Sequence, residues 1–234
     1  MIRTFFVVLL LLGLGAVFAG LMVGYTPDAE LNATARYYAD NTAADTGAAN
    51  IVTAIIVTYR GLDTLGEVTV LFLTAAIVAL VLAAGREKDP ASRIAPPPAG
   101  ELLTTGSRLL APLILLLGVY VFANGHLTPG GGFQGGAILA SAVLLLLLTD
   151  PLRHFGHRLI SVVESLSGFI YVLIGVAGVV LAGGFLDNRI LPLGDFGALL
   201  SAGAIPVIYT LIGLKVGAEF ASMLVSLSET EEPR

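Results

Sequence analysis

Six stretches of this chain are apolar and long enough to cross a lipid bilayer, and they limit its fold more than any other feature. They are residues 4–24, 64–84, 109–123, 133–148, 159–181 and 204–227. A spanning helix needs about 20 mainly apolar residues. Lipid offers no partner to a bare N–H or C=O, so a segment of this kind satisfies its backbone internally, as a helix. The third and fourth runs are short at their apolar cores, and their ends are soft. Composition agrees: 56% of the 234 residues are apolar, 12% are charged, and the mean hydropathy is +0.91. A soluble domain, about half apolar and a quarter charged, does not hide that much oil. The expected fold is an all-α membrane protein of about six transmembrane helices.

The first run follows Arg3, as a signal peptide would. Its apolar stretch is nearer 20 residues than the 7–15 of a signal core, so a retained helix is expected. Net charge is −5, which leaves no basic surface for nucleic acid. Cysteine is absent, and with it disulfides, thiolate zinc sites, cysteine-held iron–sulfur clusters and cysteine nucleophiles. No cofactor or metal is expected.

Orientation follows from Lys and Arg. With the N-terminus inside, cytoplasmic segments hold Arg3, Arg86, Lys88, Arg93, Arg108, Arg153, Arg158 and Arg234, which is eight; outer segments hold Arg36, Arg60 and Arg189, which is three. Lys215 lies within a span and completes the 12. Both termini are therefore expected in the cytoplasm. Tyr25, Tyr59 and Tyr120 lie near span ends, as interfacial tyrosines do.

Between residues 87 and 100 the chain changes character. Arg86-Glu87-Lys88-Asp89 leads to Pro90 and then to Pro96-Pro97-Pro98. Consecutive prolines cannot continue a helix and favour an extended spacer. The expected division is residues 1–95, with two spans and a long outer loop, and 96–234, with four spans. The outer loop, residues 25–63, is too long for a simple turn. Its apolar piece 48–57 is too short to span; an interfacial or re-entrant helix with Ile51, Ile55 and Tyr59 on one face, a packed loop and a short strand all fit.

Four ionisable residues lie inside spans: Glu67, Glu164, Lys215 and Glu219. Each costs about 2.5–3.5 kcal/mol at a helix centre, and such groups usually face protein or water and mark ion or proton routes. Lys215 is 11 residues past Ala204, about 16 Å along a helix, near the midplane. Glu219 is one turn further on the same face. Glu164, five residues into its span, lies in the same half of the bilayer. Glu67 is near the outer end of the second span, in a partly polar stripe with Thr64, Leu71 and Thr74. Lys215 and Glu219 read either as a static intrahelical ion pair or as a relay that changes charge; Glu67 and Glu164 read either as carboxylates reaching interfacial water or as members of the same path. Gly213, Gly217 and Ala221, and likewise Ala16, Gly20 and Gly24, have the spacing of close helix packing.

The third and fourth spans are joined by Gly125-His126-Leu127-Thr128-Pro129-Gly130-Gly131-Gly132-Phe133-Gln134-Gly135-Gly136. Glycines permit close backbone approach, and Pro129 stops a helix. The segment reads as a packed, non-helical connection, with backbone lining an ion path or a tight contact with a partner chain as the sharper alternative. It lacks the Gly-Lys-Ser/Thr ending of a phosphate loop. His126 is of the type that titrates near neutral pH. His154 and His157 share a helical spacing but have no third ligand, so a basic loop is the plain reading.

This glycine-rich segment resembles the signature of the MnhB (or MrpB) component of the multisubunit Na⁺/H⁺ antiporters, and Gly213-Leu214-Lys215-Val216-Gly217 resembles that family's last helix. The likeness covers about residues 100–227. The run Asn50-Ile51-Val52-Thr53-Ala54-Ile55-Ile56-Val57-Thr58-Tyr59-Arg60-Gly61-Leu62-Asp63-Thr64-Leu65-Gly66-Glu67 is similar to the C-terminal region of the large MnhA-type component of the same antiporters, and to the small MbhE-type component of related membrane-bound hydrogenases. The resemblance implies a non-enzymatic member of a large complex in a prokaryotic inner membrane, beside other membrane subunits, with Na⁺ and H⁺ as transported ions. It makes Glu67 a candidate cation- or proton-accepting carboxylate, with Arg60 and Asp63 beside it, and Lys215 the family's membrane lysine. Glu164 and Glu219 match no family role and rest on burial alone. A redox-driven respiratory complex, or a structural scaffold, are the alternatives.

Overall fold

The computed structural model describes residues 2–26, 30–85, 99–150 and 155–229. The proline-rich linker, Arg86, Lys88, Arg93, Arg153, His154 and Arg234 lie outside the described residues. The chain divides into residues 1–37 and 38–234.

The first unit carries α1 (Ile2–Gly24), 23 residues with no buried side chain, about 34 Å long and so a full bilayer core. Its close-packing stripe, Ala16, Gly20 and Gly24, has no packed neighbour at either glycine. The same unit starts α2 (Ala33–Thr46), whose first turn is capped by Asn32 Oδ1, which accepts from Ala35 N at 2.8 Å.

The second unit holds the end of α2, then α3 (Ile51–Ala54), which runs on as a π-helical turn (Ile55–Tyr59), then α4 (Gly61–Gly85), α5 (Glu101–Ala123), α6 (Gly132–Thr149), α7 (His157–Leu181), a 3₁₀ turn (Asn188–Ile190) and α8 (Ile205–Ser228). Among the described residues there are six helices long and apolar enough to cross a membrane, namely α1 and α4–α8. Five of them lie within three residues of the expected bounds. The third starts at Glu101 rather than 109, because Leu102, Leu103, Thr104 and Thr105 continue the helix ahead of the apolar run.

α8 is the central helix of this unit and packs against α4, α5, α6 and α7. Its most apolar window is 56% buried, against 11–33% for the four around it. Small residues explain this. A Cβ added at Gly136 on α6 would lie 2.8 Å from both the Gly213 carbonyl oxygen and Val216 Cβ, so the helices meet backbone to backbone. Gly217 faces the Gly136 carbonyl in the same way, and Gly118 on α5 meets the Gly135 carbonyl. In lipid no hydrophobic force drives helices together, and close van der Waals approach replaces it. The Gly213–Gly217 seam thus serves a helix of this chain. Tyr171, Ile208, Tyr209, Ile212 and Val216 continue the core, with Val57, Val68 and Leu186.

Two expectations are corrected. The outer segment is largely helical, and in 51–59 the buried residues are Thr53, Ala54 and Val57 rather than the Ile51, Ile55, Tyr59 face. A π-turn holds more residues per turn than an α-helix, so α-helical spacing does not carry through it. The glycine-rich segment is non-helical only to Gly131: Gly132, Phe133, Gln134, Gly135 and Gly136 form the first turn and a half of α6.

Candidate functional site

Lys215 and Glu219 sit in the middle of α8, one turn apart, with Nζ 2.8 Å from Oε1. Their side chains are 9% and 0% exposed. The contact is ionic, off the line of a directed hydrogen bond, and Glu219 Oε2 has no partner among the described residues. Three neighbours complete the setting. The Phe72 ring of α4 lies 4.8 Å from the ammonium, a cation–π contact. Gly168 of α7 makes room for the lysine: a Cβ there would touch Lys215 Cδ and Cε at 3.3 Å. Glu164, one turn before Gly168 and half-buried, acts electrostatically on Glu219. Three of the four expected intramembrane charges are thus brought together.

Glu67 is on the exposed side of α4, and its charge acts on the buried Tyr171 hydroxyl, which has no hydrogen-bond partner among the described residues. Arg60 and Asp63 pair with each other in the open, a geometry worth little to stability.

The glycine-rich junction is fastened to the outer segment. Asn50 Nδ2 donates to the carbonyls of Gly125 and Thr128, both at 2.9 Å, while its Oδ1 caps α3 by accepting from Val52 N and Thr53 N. The Thr53 hydroxyl donates to the same Gly125 carbonyl at 2.6 Å and accepts from the Tyr209 hydroxyl at 3.1 Å. The His126 carbonyl accepts from Ala49 N and Asn50 N, each at 3.0 Å. The His126 ring is fully buried: Nε2 lies 3.4 Å from the Ala198 carbonyl, and Nδ1 has no partner among the described residues. Burial pushes the imidazole below its ordinary value, against the Ala198 and Leu199 backbone. Pro129 and Gln134 are exposed, and Phe133 packs on the core cluster. Asn188 donates to the Thr46 and Ala202 carbonyls at 2.7 and 2.9 Å. Beside it the Arg189 guanidinium holds the Asp187 carboxyl below the usual range.

Asn50, Thr53, Asn188 and Tyr209 were not anticipated. Asn50 carried a signal, a capping residue just before an apolar run; Tyr209 and Asn188 carried none. His157 meets Glu229, Nε2 to Oε1 at 2.5 Å. Among the described residues no group of three His, Asp or Glu is placed to hold a metal.

Two family models match the chain. One, a domain related to the MnhB subunit of Na⁺/H⁺ antiporters, covers residues 102–222; the other, the MbhE component of the membrane-bound hydrogenase MBH, covers residues 3–98. An uncharacterized protein of Methanocaldococcus jannaschii is 33% identical over 202 residues, 76% of this chain and 77% of that protein. Among solved structures, a chain of the membrane-bound sulfane sulfur reductase, an archaeal respiratory membrane complex, aligns with a TM-score of 0.82 and 40% identity, covering 97% of this chain and 98% of that one. A chain of the Mrp complex from a Dietzia species aligns with a TM-score of 0.78 and 29% identity; the match covers 99% of this chain and 27% of that one. Length, fold and motif agree, and the chain belongs to the family of domains related to the MnhB subunit of Na⁺/H⁺ antiporters.

Proposed function

We propose that this chain is a non-catalytic, multi-pass component of a multisubunit monovalent cation/proton antiporter in a prokaryotic cell membrane, where it helps form the ion path. The observation that carries this reading is the Lys215–Glu219 pair, sealed at mid-membrane with Glu164 beside it and one carboxylate oxygen left without a partner. Removing charges from water costs several kcal/mol per ion, and apolar replacements of such pairs are often as stable or more so. A scaffold helix has no use for that penalty, whereas a site that loads and unloads a proton does. Glu67, exposed at membrane depth, would meet another chain of the complex or water in the assembled state. The division into residues 1–95 and 96–234 is supported by the two family matches.

One observation favours a second parent assembly. The respiratory-complex chain matches end to end, 97% against 98%, so the same two-part architecture exists beside redox partners. In that setting the chain has the same ion-handling role.

The test is to purify the complex through a tag on this chain, identify its companions and measure Na⁺-dependent H⁺ exchange in proteoliposomes. Glu219→Gln and Lys215→Ala should each abolish exchange without loss of assembly. Full exchange in both variants would reduce the chain to a scaffold.

A further inference from the structure

α8 carries more polar residues than its central pair. Lys215, Glu219, Ser222, Ser226 and Glu229 recur at spacings of four, three, four and three, which keeps all five within an arc of about 80° on a helix of 3.6 residues per turn. α7 has a matching stripe: His157, Ser161, Glu164, Gly168 and Tyr171. The two helices are consecutive and antiparallel, and three contacts set their register. Gly168 touches Lys215, Glu164 acts on Glu219, and His157 meets Glu229. One turn beyond Glu164 and Glu219, that register brings Ser161 level with Ser222; the next brings His157 level with Ser226.

The far end of this ladder opens into a cavity of about 270 Å³, lined by Ala79, Leu82 and Ala83 of α4 with His157, Ser226 and Glu229. It is large enough for several waters and has polar groups to hold them. From Ser226 to Glu219 is seven residues, about 10 Å along the axis. Ser222 divides that distance into steps of about 6 and 4.5 Å. One water making two hydrogen bonds of about 2.8 Å bridges either step. Such a water also supplies what Glu219 Oε2 lacks.

Resting on the ion-path reading above, we infer that the groove between α4 and α7, floored by α8, is a proton access route, which runs from a His157–Glu229 mouth through Ser226, Ser222 and Ser161 to Glu219. A proton enters on the His157 imidazole or the Glu229 carboxylate, passes along hydroxyls and waters by exchange of hydrogen bonds, and ends on Glu219, whose pair with Lys215 then loosens. The passenger is a proton rather than Na⁺, because a bare cation arriving at Glu219 meets the Lys215 ammonium at low dielectric, whereas a transferred proton neutralises the carboxylate. The groups facing the route are His157, Glu164, Lys215 and Glu229.

The chain has no cysteine, so single substitutions report position directly. In the complex purified through this chain, Ser222→Cys should react with a small water-soluble methanethiosulfonate, while Val225→Cys, buried and off the stripe, should not. In proteoliposomes, Ser222→Val should slow proton flux about tenfold or more, and Ser222→Thr should restore it. Wild-type flux in Ser222→Val, or an unreactive Ser222→Cys, overturns the route, while Glu219→Gln still abolishing exchange leaves the ion-path reading standing. Retained exchange in Glu219→Gln overturns both. If Ser222→Val does not assemble, cysteine reactivity alone decides.

Discussion

Asn50 ties two distant parts of the chain together, and its replacement gives a graded test of how the junction is held. Its amide donates to the Gly125 and Thr128 carbonyls, and its oxygen caps α3. Each side-chain hydrogen bond contributes about 1 kcal/mol net, and an N-cap about 1 kcal/mol. Asn50→Ala removes all three and should cost about 3 kcal/mol. Asn50→Ser keeps a capping oxygen but cannot reach both carbonyls, so it should cost about 2 kcal/mol. Gly125 O keeps its bond from the Thr53 hydroxyl in either variant, so the newly bare acceptor is Thr128 O. The assay is SDS titration of the purified protein in mixed micelles, followed by helical circular dichroism. A loss below about 0.5 kcal/mol in Asn50→Ala would refute the clasp, since surface substitutions fall in that range. Equal losses in the two variants would refute the capping contribution.

Three further outcomes follow from the same geometry. Gly136→Ala should destabilise by about 1–3 kcal/mol in that titration, because the new methyl meets backbone and Cβ atoms of α8 that cannot swing aside. Lys215→Met should cost about 3–5 kcal/mol by leaving Glu219 buried and unpaired, and adding Glu219→Leu should recover most of the loss while exchange stays abolished. The His126 imidazole is held neutral by burial, so the unfolded chain binds a proton that the folded chain resists. Stability is therefore unaffected above the ordinary histidine value of about 6.5 and falls as pH drops below it; His126→Gln should flatten that acid limb in thermal melts between pH 7 and 5.

The candidate site was legible where its spacing is local. Lys215 and Glu219 are one helical turn apart on one element, so any α-helix through them makes them neighbours, and the six apolar runs demanded that helix. Glu164 could be placed at the same depth by counting residues from a span end, though not on the same side of the bundle. The second half of the glycine motif was misjudged for a physical reason: Gly132, Gly135 and Gly136 serve as clearance for α8 and α5 inside a regular helix rather than as freedom for a loop.

Sequence alone settled that the chain crosses the membrane six times, that it lacks thiol chemistry, and that charge is kept at mid-membrane. Each of these depends on the cost of putting particular groups into hydrocarbon, which is incurred residue by residue. Tertiary structure alone decided that α8 is the central helix, that Asn50 reaches 75 residues along the chain to Gly125, and that the α7 and α8 stripes meet. Those facts depend on which helices approach closely enough to touch and in what register, and neither is written in the periodicity of any one segment.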